Sequence, residues 1–328
     1  MFDSLIDFIR EQYRSNEFIP LHAPVFSGRE REFVTDTIAS TFVSSVGAYV
    51  DRFESEIASF TGAPRAVATV NGTAALHIAL QLAGVERGDL VITQPLSFVA
   101  TCNAISYCGA EPVFVDVDRH TMGLSAVATE AWLVEHALVG DDYLCRTKAD
   151  QKIIRACVPM HTFGHPVDIE GLVDVCARWC IAIVEDAAES LGSLYKGQHT
   201  GVFGLLGTLS FNGNKIITTG GGGMILANEA LADRAKHLTT TAKTPHPYEY
   251  IHDEVGYNYR LPNLNAALGC AQLEQLDKFV GAKRALASRY QDLLRDSPLA
   301  FVTEPADCRS NYWLNAVICR DSLQRDAL

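Results

Sequence analysis

Four short segments carry residue types that can do chemistry together. In Ser210-Phe211-Asn212-Gly213-Asn214-Lys215 a lysine falls in a polar turn, and the run Gly220-Gly221-Gly222-Gly223 follows it. An amine held between apolar strands can be desolvated and lose its proton, as imine formation requires. A surface hairpin lysine looks the same locally, but a solvated loop with four glycines pays chain entropy unless close approach demands them. In Val184-Glu185-Asp186-Ala187-Ala188-Glu189-Ser190 an apolar run delivers two acids at its end. Ligands of open parallel sheets bind at that edge, and a carboxylate there can keep an aromatic ring nitrogen protonated. Capping a helix is the alternative role for Asp186. Val70-Asn71-Gly72-Thr73-Ala74-Ala75 is a strand-to-helix turn whose free N–H groups can cradle a phosphate, although ordinary turns carry Gly-Thr as well. Gly256-Tyr257-Asn258-Tyr259-Arg260 offers an amide and a guanidinium to a phosphate or carboxylate, or is a plain turn ahead of a helix.

The elements that must position these residues alternate. Strands are expected at Ala66–Val70, Leu90–Thr93, Pro112–Val117, Ile153–Pro159 and Ile181–Glu185, with helices at Gly72–Leu82, Phe98–Tyr107 and Ile169–Trp179. Near-continuous apolar strands separated by helices mean a parallel sheet covered on both faces. After Gly201 two short strands, Gly207–Phe211 and Gly223–Ala227, flank the glycine run closely enough to pair. Helices follow at Glu229–Thr239 and from Asn263 through Leu276 towards Leu294, then a strand at Asn311–Cys319. The expected organisation is an N-terminal arm over 1–30, a large α/β domain over 31–260 and a small α/β domain over 261–328. Asp321–Leu328 reads as the first turns of a helix cut short, so further C-terminal sequence is expected. The polar, aperiodic stretch Thr239–Tyr257 reads as a long functional loop.

Composition narrows the function. A net charge of -12 over 328 residues argues against a nucleic-acid groove, while leaving room for a local phosphate site. Nine scattered cysteines without a C-x-x-C read as reduced thiols of a cytoplasmic protein. Cys176 and Cys180 share a helix face but lack further ligands, and Gly164 and Pro166 break the spacing of His161 and His165, so no metal is expected. The N-terminus MFDSLIDFIREQY is acidic and amphipathic rather than a signal peptide, and no run approaches a membrane span.

Taken in order, Asn-Gly-Thr-Ala-Ala-Leu, Glu-Asp-Ala-Ala, Ser-Phe-x-x-x-Lys with its glycines, and Gly-x-Asn-x-Arg resemble the DegT-type family of sugar aminotransferases. The resemblance runs from about Phe18 to the end and implies the aspartate-aminotransferase fold, a seven-stranded, mostly parallel sheet with a smaller C-terminal domain, and pyridoxal 5'-phosphate as cofactor. It makes Lys215 the lysine that bonds the cofactor and shuttles the proton, and Asp186 the partner of the pyridine nitrogen. Phe98 would stack on the ring, and Gly72, Thr73 and Ser210 would contact the phosphate. Asn258 would reach the phosphate of a neighbouring subunit, implying a homodimer. Glu189 stands where many relatives carry Gln or His, close to the cofactor. His161, Tyr257 and Arg260 are expected on the substrate side.

A finer resemblance, on Phe18-Ile19-Pro20-Leu21-His22, Thr41-Phe42-Val43-Ser44-Ser45-Val46-Gly47 and Tyr312-Trp313-Leu314-Asn315, is to aminotransferases of nonulosonic-acid pathways such as legionaminic acid synthesis. It implies transfer from L-glutamate to a UDP-linked 4-keto-6-deoxy-N-acetylhexosamine. A sugar 3-dehydratase of the same fold would carry histidine in place of Lys215, and a non-catalytic cofactor-binding regulator would dispense with Lys215 or Asp186. A 3-keto-sugar aminotransferase remains the alternative. Asn71-Gly72-Thr73 lacks the glycine spacing of a nicotinamide dehydrogenase.

Overall fold

The computed structural model describes residues 2–328. Its centre is a sheet of seven strands: β1 (Arg65–Thr69), β2 (Leu90–Thr93), β3 (Glu111–Phe114), β4 (Ile154–Val158), β5 (Ala182–Asp186), β6 (Leu206–Ser210) and β7 (Gly223–Ala227). They lie in the order β1-β7-β6-β5-β4-β2-β3. All pairs are parallel except those of β7, which runs against both β1 and β6. The reversal follows from the connection: residues 211–222 form a turn with no crossover helix, and only an antiparallel return is reachable that way.

Eleven α-helices surround the sheet among the described residues. On one face α4 (Gly72–Leu82), α5 (Val99–Tyr107) and α8 (Glu229–Thr239) bury Ile78, Leu80, Ile105 and Ala235 against Val91, Val184 and Ile225. Near the β2–β5 part of the sheet, α6 (Ala126–His136) and α7 (Ile169–Arg178) cover Ile92, Cys157 and Ile183 with Leu133, Ile169 and Leu172. A third cluster joins α2 (Glu30–Ala39), α3 (Ala48–Thr61), α9 (Asn263–Leu273) and α10 (Leu276–Leu294) to β6 and β7 through Phe33, Phe53, Ala267, Val280 and Leu209. The buried face of α9, just after the expected boundary at Leu261, therefore shares one core with α2 and α3.

The strand and helix expectations for 65–239 hold to within a few residues. Three expectations after Gly201 change. The run from Asn263 is two helices, because the backbone at Gln275 leaves helical angles (φ -110°, ψ 0°); its side chain donates to Glu30 Oε1 at 2.6 Å. The strand expected over Asn311–Cys319 shrinks to Val317–Ile318, paired with Ala300–Phe301. Asn311 explains this: its Nδ2 donates to the carbonyls of Glu189 and Leu191 (2.9 Å each), and Tyr312 follows in the left-handed region at φ 47°. That stretch is therefore bent across the carboxyl edge of the sheet. The loop expected over Thr239–Tyr257 contains a small ladder, Lys243–Thr244 against Ile251–His252.

Candidate active site

Strand register gathers the candidates at one edge. Thr69 pairs with Gly223, and Gly223 with Ser210. The turn after β1 therefore lies beside the end of β6, while Asp186 ends β5 one strand over. Gly72 is tight against Ser210: an added Cβ would stand 2.9 Å from the serine Cβ. Asn71 caps α4 by accepting from the Ala74 N–H at 2.8 Å. The first helical N–H groups, those of Gly72 and Thr73, have no helical carbonyl to bind and stay available to an anion. Gly223 keeps this cradle open, since a Cβ there would meet the Asn71 carbonyl oxygen at 2.4 Å.

Lys215 lies in a turn whose flanks are pinned in the core. Phe211 is fully buried against Phe53, with ring centroids 4.9 Å apart, and Ile216 and Ile217 are buried on the other side. The Lys215 N–H closes the turn on the Asn212 carbonyl at 3.0 Å. Held this way, the residue is only 8 % exposed. Its ammonium lies 4.2 Å from the centre of the Trp313 ring, a cation–π contact, and 3.6 Å from Glu189 Oε1. The indole N–H of Trp313 donates to the Asn214 carbonyl at 2.7 Å, tying the turn to the C-terminal segment.

Asp186 is buried, accepting from the Thr101 hydroxyl (2.7 Å) and from the Ala188 N–H (3.2 Å). Thr101 belongs to α5, whose N-cap is Phe98, so one helix start presents the exposed Phe98 ring and steadies the Asp186 carboxylate. Glu189 accepts from the Phe163 N–H at 2.8 Å. Burial, with a smaller push from Asp186, outweighs the pull of Lys215 and the Phe163 hydrogen bond and leaves its carboxyl at about 7.

Glu185, one residue before Asp186, does a different job. Its fully buried carboxylate accepts from the N–H groups of Gly201 (2.8 Å), Phe203 (2.6 Å) and Gly204 (2.7 Å), and pairs with His161 Nε2 at 3.1 Å. Burial alone would raise this carboxyl, and the hydrogen bonds outweigh it, leaving Glu185 below its ordinary value. His161 is corrected accordingly. Its Nδ1 accepts from the Val167 N–H at 3.2 Å, so Nε2 is the nitrogen that donates to Glu185. Both ring nitrogens are spent inside the protein, and His161 serves the site by bracing β5 rather than by meeting substrate.

Tyr257 also faces inward. Its hydroxyl accepts from Gln81 Nε2 at 2.6 Å and its ring stacks on Tyr259 and meets His77 edge-on, all against α4. Asn258 is exposed, and its side-chain oxygen accepts from Arg260 at 3.1 Å. Arg260 borders an open surface hollow with Lys243 and His246. Among the described residues no hydrogen bond or ion pair joins Asn258 or Arg260 to Lys215, although the backbone of Arg260 bridges to Thr69 at the end of β1. Thr101 and Trp313 were missed as site residues. Thr101 carried a signal, because it lies one helical turn after the aromatic Phe98, whereas Trp313 arrives only through the tertiary bend at Asn311.

The residues fit pyridoxal 5'-phosphate on the structure's own terms: a cradle closed to any Cβ at Gly72, a buried carboxylate at the strand edge, and a buried amine beside them. Fold and site together define an aminotransferase of fold type I dependent on that cofactor. Comparison with known proteins agrees. The sequence matches the model of the DegT/DnrJ/EryC1/StrS aminotransferase family over residues 26–328. It is 38% identical to the GDP-perosamine synthase of Escherichia coli O157:H7, over 95% of this chain and 81% of that protein. It is also 38% identical to the putative pyridoxal phosphate-dependent aminotransferase EpsN of Bacillus subtilis, over 93% of this chain and 76% of that protein. The crystal structure of the aminotransferase TlmJ from Streptoalloteichus hindustanus superposes with a TM-score of 0.84 at 29% identity, covering 94% of this chain and 81% of that one. The chain belongs to the DegT/DnrJ/EryC1/StrS family and is a sugar aminotransferase.

Proposed function

We propose that this enzyme transfers the amino group of L-glutamate to the keto carbon of a nucleotide-linked sugar, a UDP-4-keto-6-deoxy-N-acetylhexosamine, in the synthesis of a nonulosonic acid or surface polysaccharide. The observation that carries the reading is the buried Lys215 amine, set between Glu189 and Trp313 beside the strand edge that ends in Asp186. Relatives named GDP-perosamine synthase support a nucleotide-linked substrate, and the N-terminal and Trp313 motifs support the UDP-linked 4-keto sugar. The alternative, amination at a 3-keto carbon, uses the same residues.

When bound, the cofactor supplies a protonated pyridine ring that accepts the electron pair left by the donor's departing α-proton. The protein's part is positional and acid–base. Asp186, fixed by Thr101 and the Ala188 N–H, would accept from the ring nitrogen. Gly72, Thr73 and Ser210 would hold the cofactor's phosphate by N–H and hydroxyl donors, and Phe98 would cover its ring. Lys215 Nζ would take the α-proton of the donor and, in the second half of the cycle, deliver a proton to the sugar carbon. Burial by Trp313 and Ile216 keeps that amine out of bulk water, and Glu189, with its raised pKa, relieves or supplies charge beside it.

The active form is read as a homodimer in the cytoplasm, with Asn258 completing the neighbour's phosphate site. In support, Asn258 is exposed, and Phe18, Phe42, Val46 and Phe98 leave large apolar surface uncovered. No helix among the described residues is long and apolar enough to cross a membrane. The test is a panel of UDP-, GDP- and dTDP-linked keto sugars with L-glutamate, with products located by NMR. The reading predicts a 4-amino sugar from the UDP-linked substrate; a 3-amino product or preference for another nucleotide would overturn that part of it.

A further inference from the structure

The N-terminal arm leaves a cavity of about 460 Å³ against α10, and Lys215 forms part of its wall together with His22, Lys283, Pro20, Phe279 and Leu286. The arm is fastened there: Gln272 Nε2 donates to the Val25 carbonyl at 2.9 Å, and the Ser27 hydroxyl donates to Gln275 at 2.8 Å. Lys283 also lines a second cavity of about 310 Å³, and Trp313 lines that one too. Its Nζ donates to the Trp313 carbonyl at 2.8 Å. Trp313 thus touches both amines, one through its ring and one through its backbone.

We propose that Lys283 is the residue that recognises the amino donor's distal carboxylate, the cavity it shares with Lys215 being the donor pocket. The inference rests on the aminotransferase reading above. An ammonium has three donors, and that of Lys283 uses one on Trp313; among the described residues no carboxylate forms an ion pair with it. Burial pushes its amine down to about 8, the sign of a cation lacking a counter-charge. An entering carboxylate would supply that charge through a charge-assisted hydrogen bond. His22 does not add a second charge: burial and the neighbouring Lys283 push it down to about 4, so at neutral pH it is uncharged. Lys215 would be engaged by the cofactor in the holoenzyme, which leaves Lys283, among the described residues, as the cavity's free cation, and one cation on largely apolar walls matches a single carboxylate on a short methylene stem. A nucleoside diphosphate brings two or more negative charges and asks for more than this cavity offers.

The experiment is calorimetric titration of the holoenzyme with glutarate, an unreactive five-carbon dicarboxylate, and separately with UDP. For Lys283→Met the glutarate Kd is expected to rise about tenfold to a hundredfold, the usual worth of a hydrogen bond to a charged group. UDP should stay within about twofold of wild type, and Lys283→Arg should regain most of the glutarate affinity. Lys283→Gln makes the same comparison if the methionine variant does not fold, with melting temperature as the control. An unchanged glutarate Kd overturns the proposal, as does a loss confined to UDP, which would move the site to the nucleotide sugar. Wild-type conversion of L-glutamate in a single half-reaction is monitored in parallel. Its absence would sink the donor reading itself, whereas its presence with no effect of Lys283→Met would sink only this inference.

Discussion

Replacing Glu189 with glutamine should change how the cofactor-free protein's stability depends on pH. The carboxyl is 6 % exposed and burial moves it from an ordinary 4.5 to about 7, against the pull of Lys215 and the Phe163 N–H. Between those values the folded chain holds a proton that the unfolded chain has already released. The contribution from this group is therefore fully present below 4.5 and is lost as pH rises through 7. The interval is roughly 2.5 units of pH, which at ~1.4 kcal/mol per unit amounts to about 3 kcal/mol. Glutamine keeps an acceptor for Phe163 and cannot titrate. Urea unfolding of both proteins without cofactor, at equal concentration from pH 4.5 to 8, measures the difference directly. Wild type should lose up to about 3 kcal/mol relative to Glu189→Gln across that range. A difference constant to within ~0.5 kcal/mol would refute the assignment of Glu189 as a buried group raised by desolvation.

Two further outcomes follow, one from the proposed dimer and one from a close backbone contact. If Asn258 completes a partner's site as proposed, Lys215→Ala and Asn258→Ala proteins should each be nearly inactive, and mixing them under conditions of subunit exchange should restore activity, because one site per mixed dimer then has both residues; no recovery would overturn the shared site. Gly207→Ala drives a Cβ to 1.9 Å from the Gly201 carbonyl oxygen and should destabilise the protein by about 1–3 kcal/mol in urea unfolding, since the clash is with backbone that cannot swing aside.

The sheet was legible because each of its strands is a short apolar run bounded by polar or glycine punctuation. The pairing of Gly223–Ala227 was legible because the turn before it is too short for a crossover. The core of the site was equally legible, since Asp186, Ser210 and Gly72 sit at strand ends or helix starts, where local pattern dictates position. What sequence could not reveal depends on side chains reaching across elements. Gln275, where the helical run breaks, reaches Glu30, and Asn311 bent an expected strand by bonding to Glu189 and Leu191. His161 and Tyr257 were expected to face substrate from the family resemblance. Each instead spends its polar atoms within the protein, on Glu185 and Val167 and on Gln81 respectively.

The most direct test of the central claim is chemical. Purified holoenzyme is reduced with borohydride, digested, and the cofactor-bearing peptide identified by mass spectrometry. The account predicts a single labelled peptide, with the cofactor on Lys215 Nζ and Lys283 unmodified. Label on Lys283 or any other lysine, or none on Lys215, would contradict it.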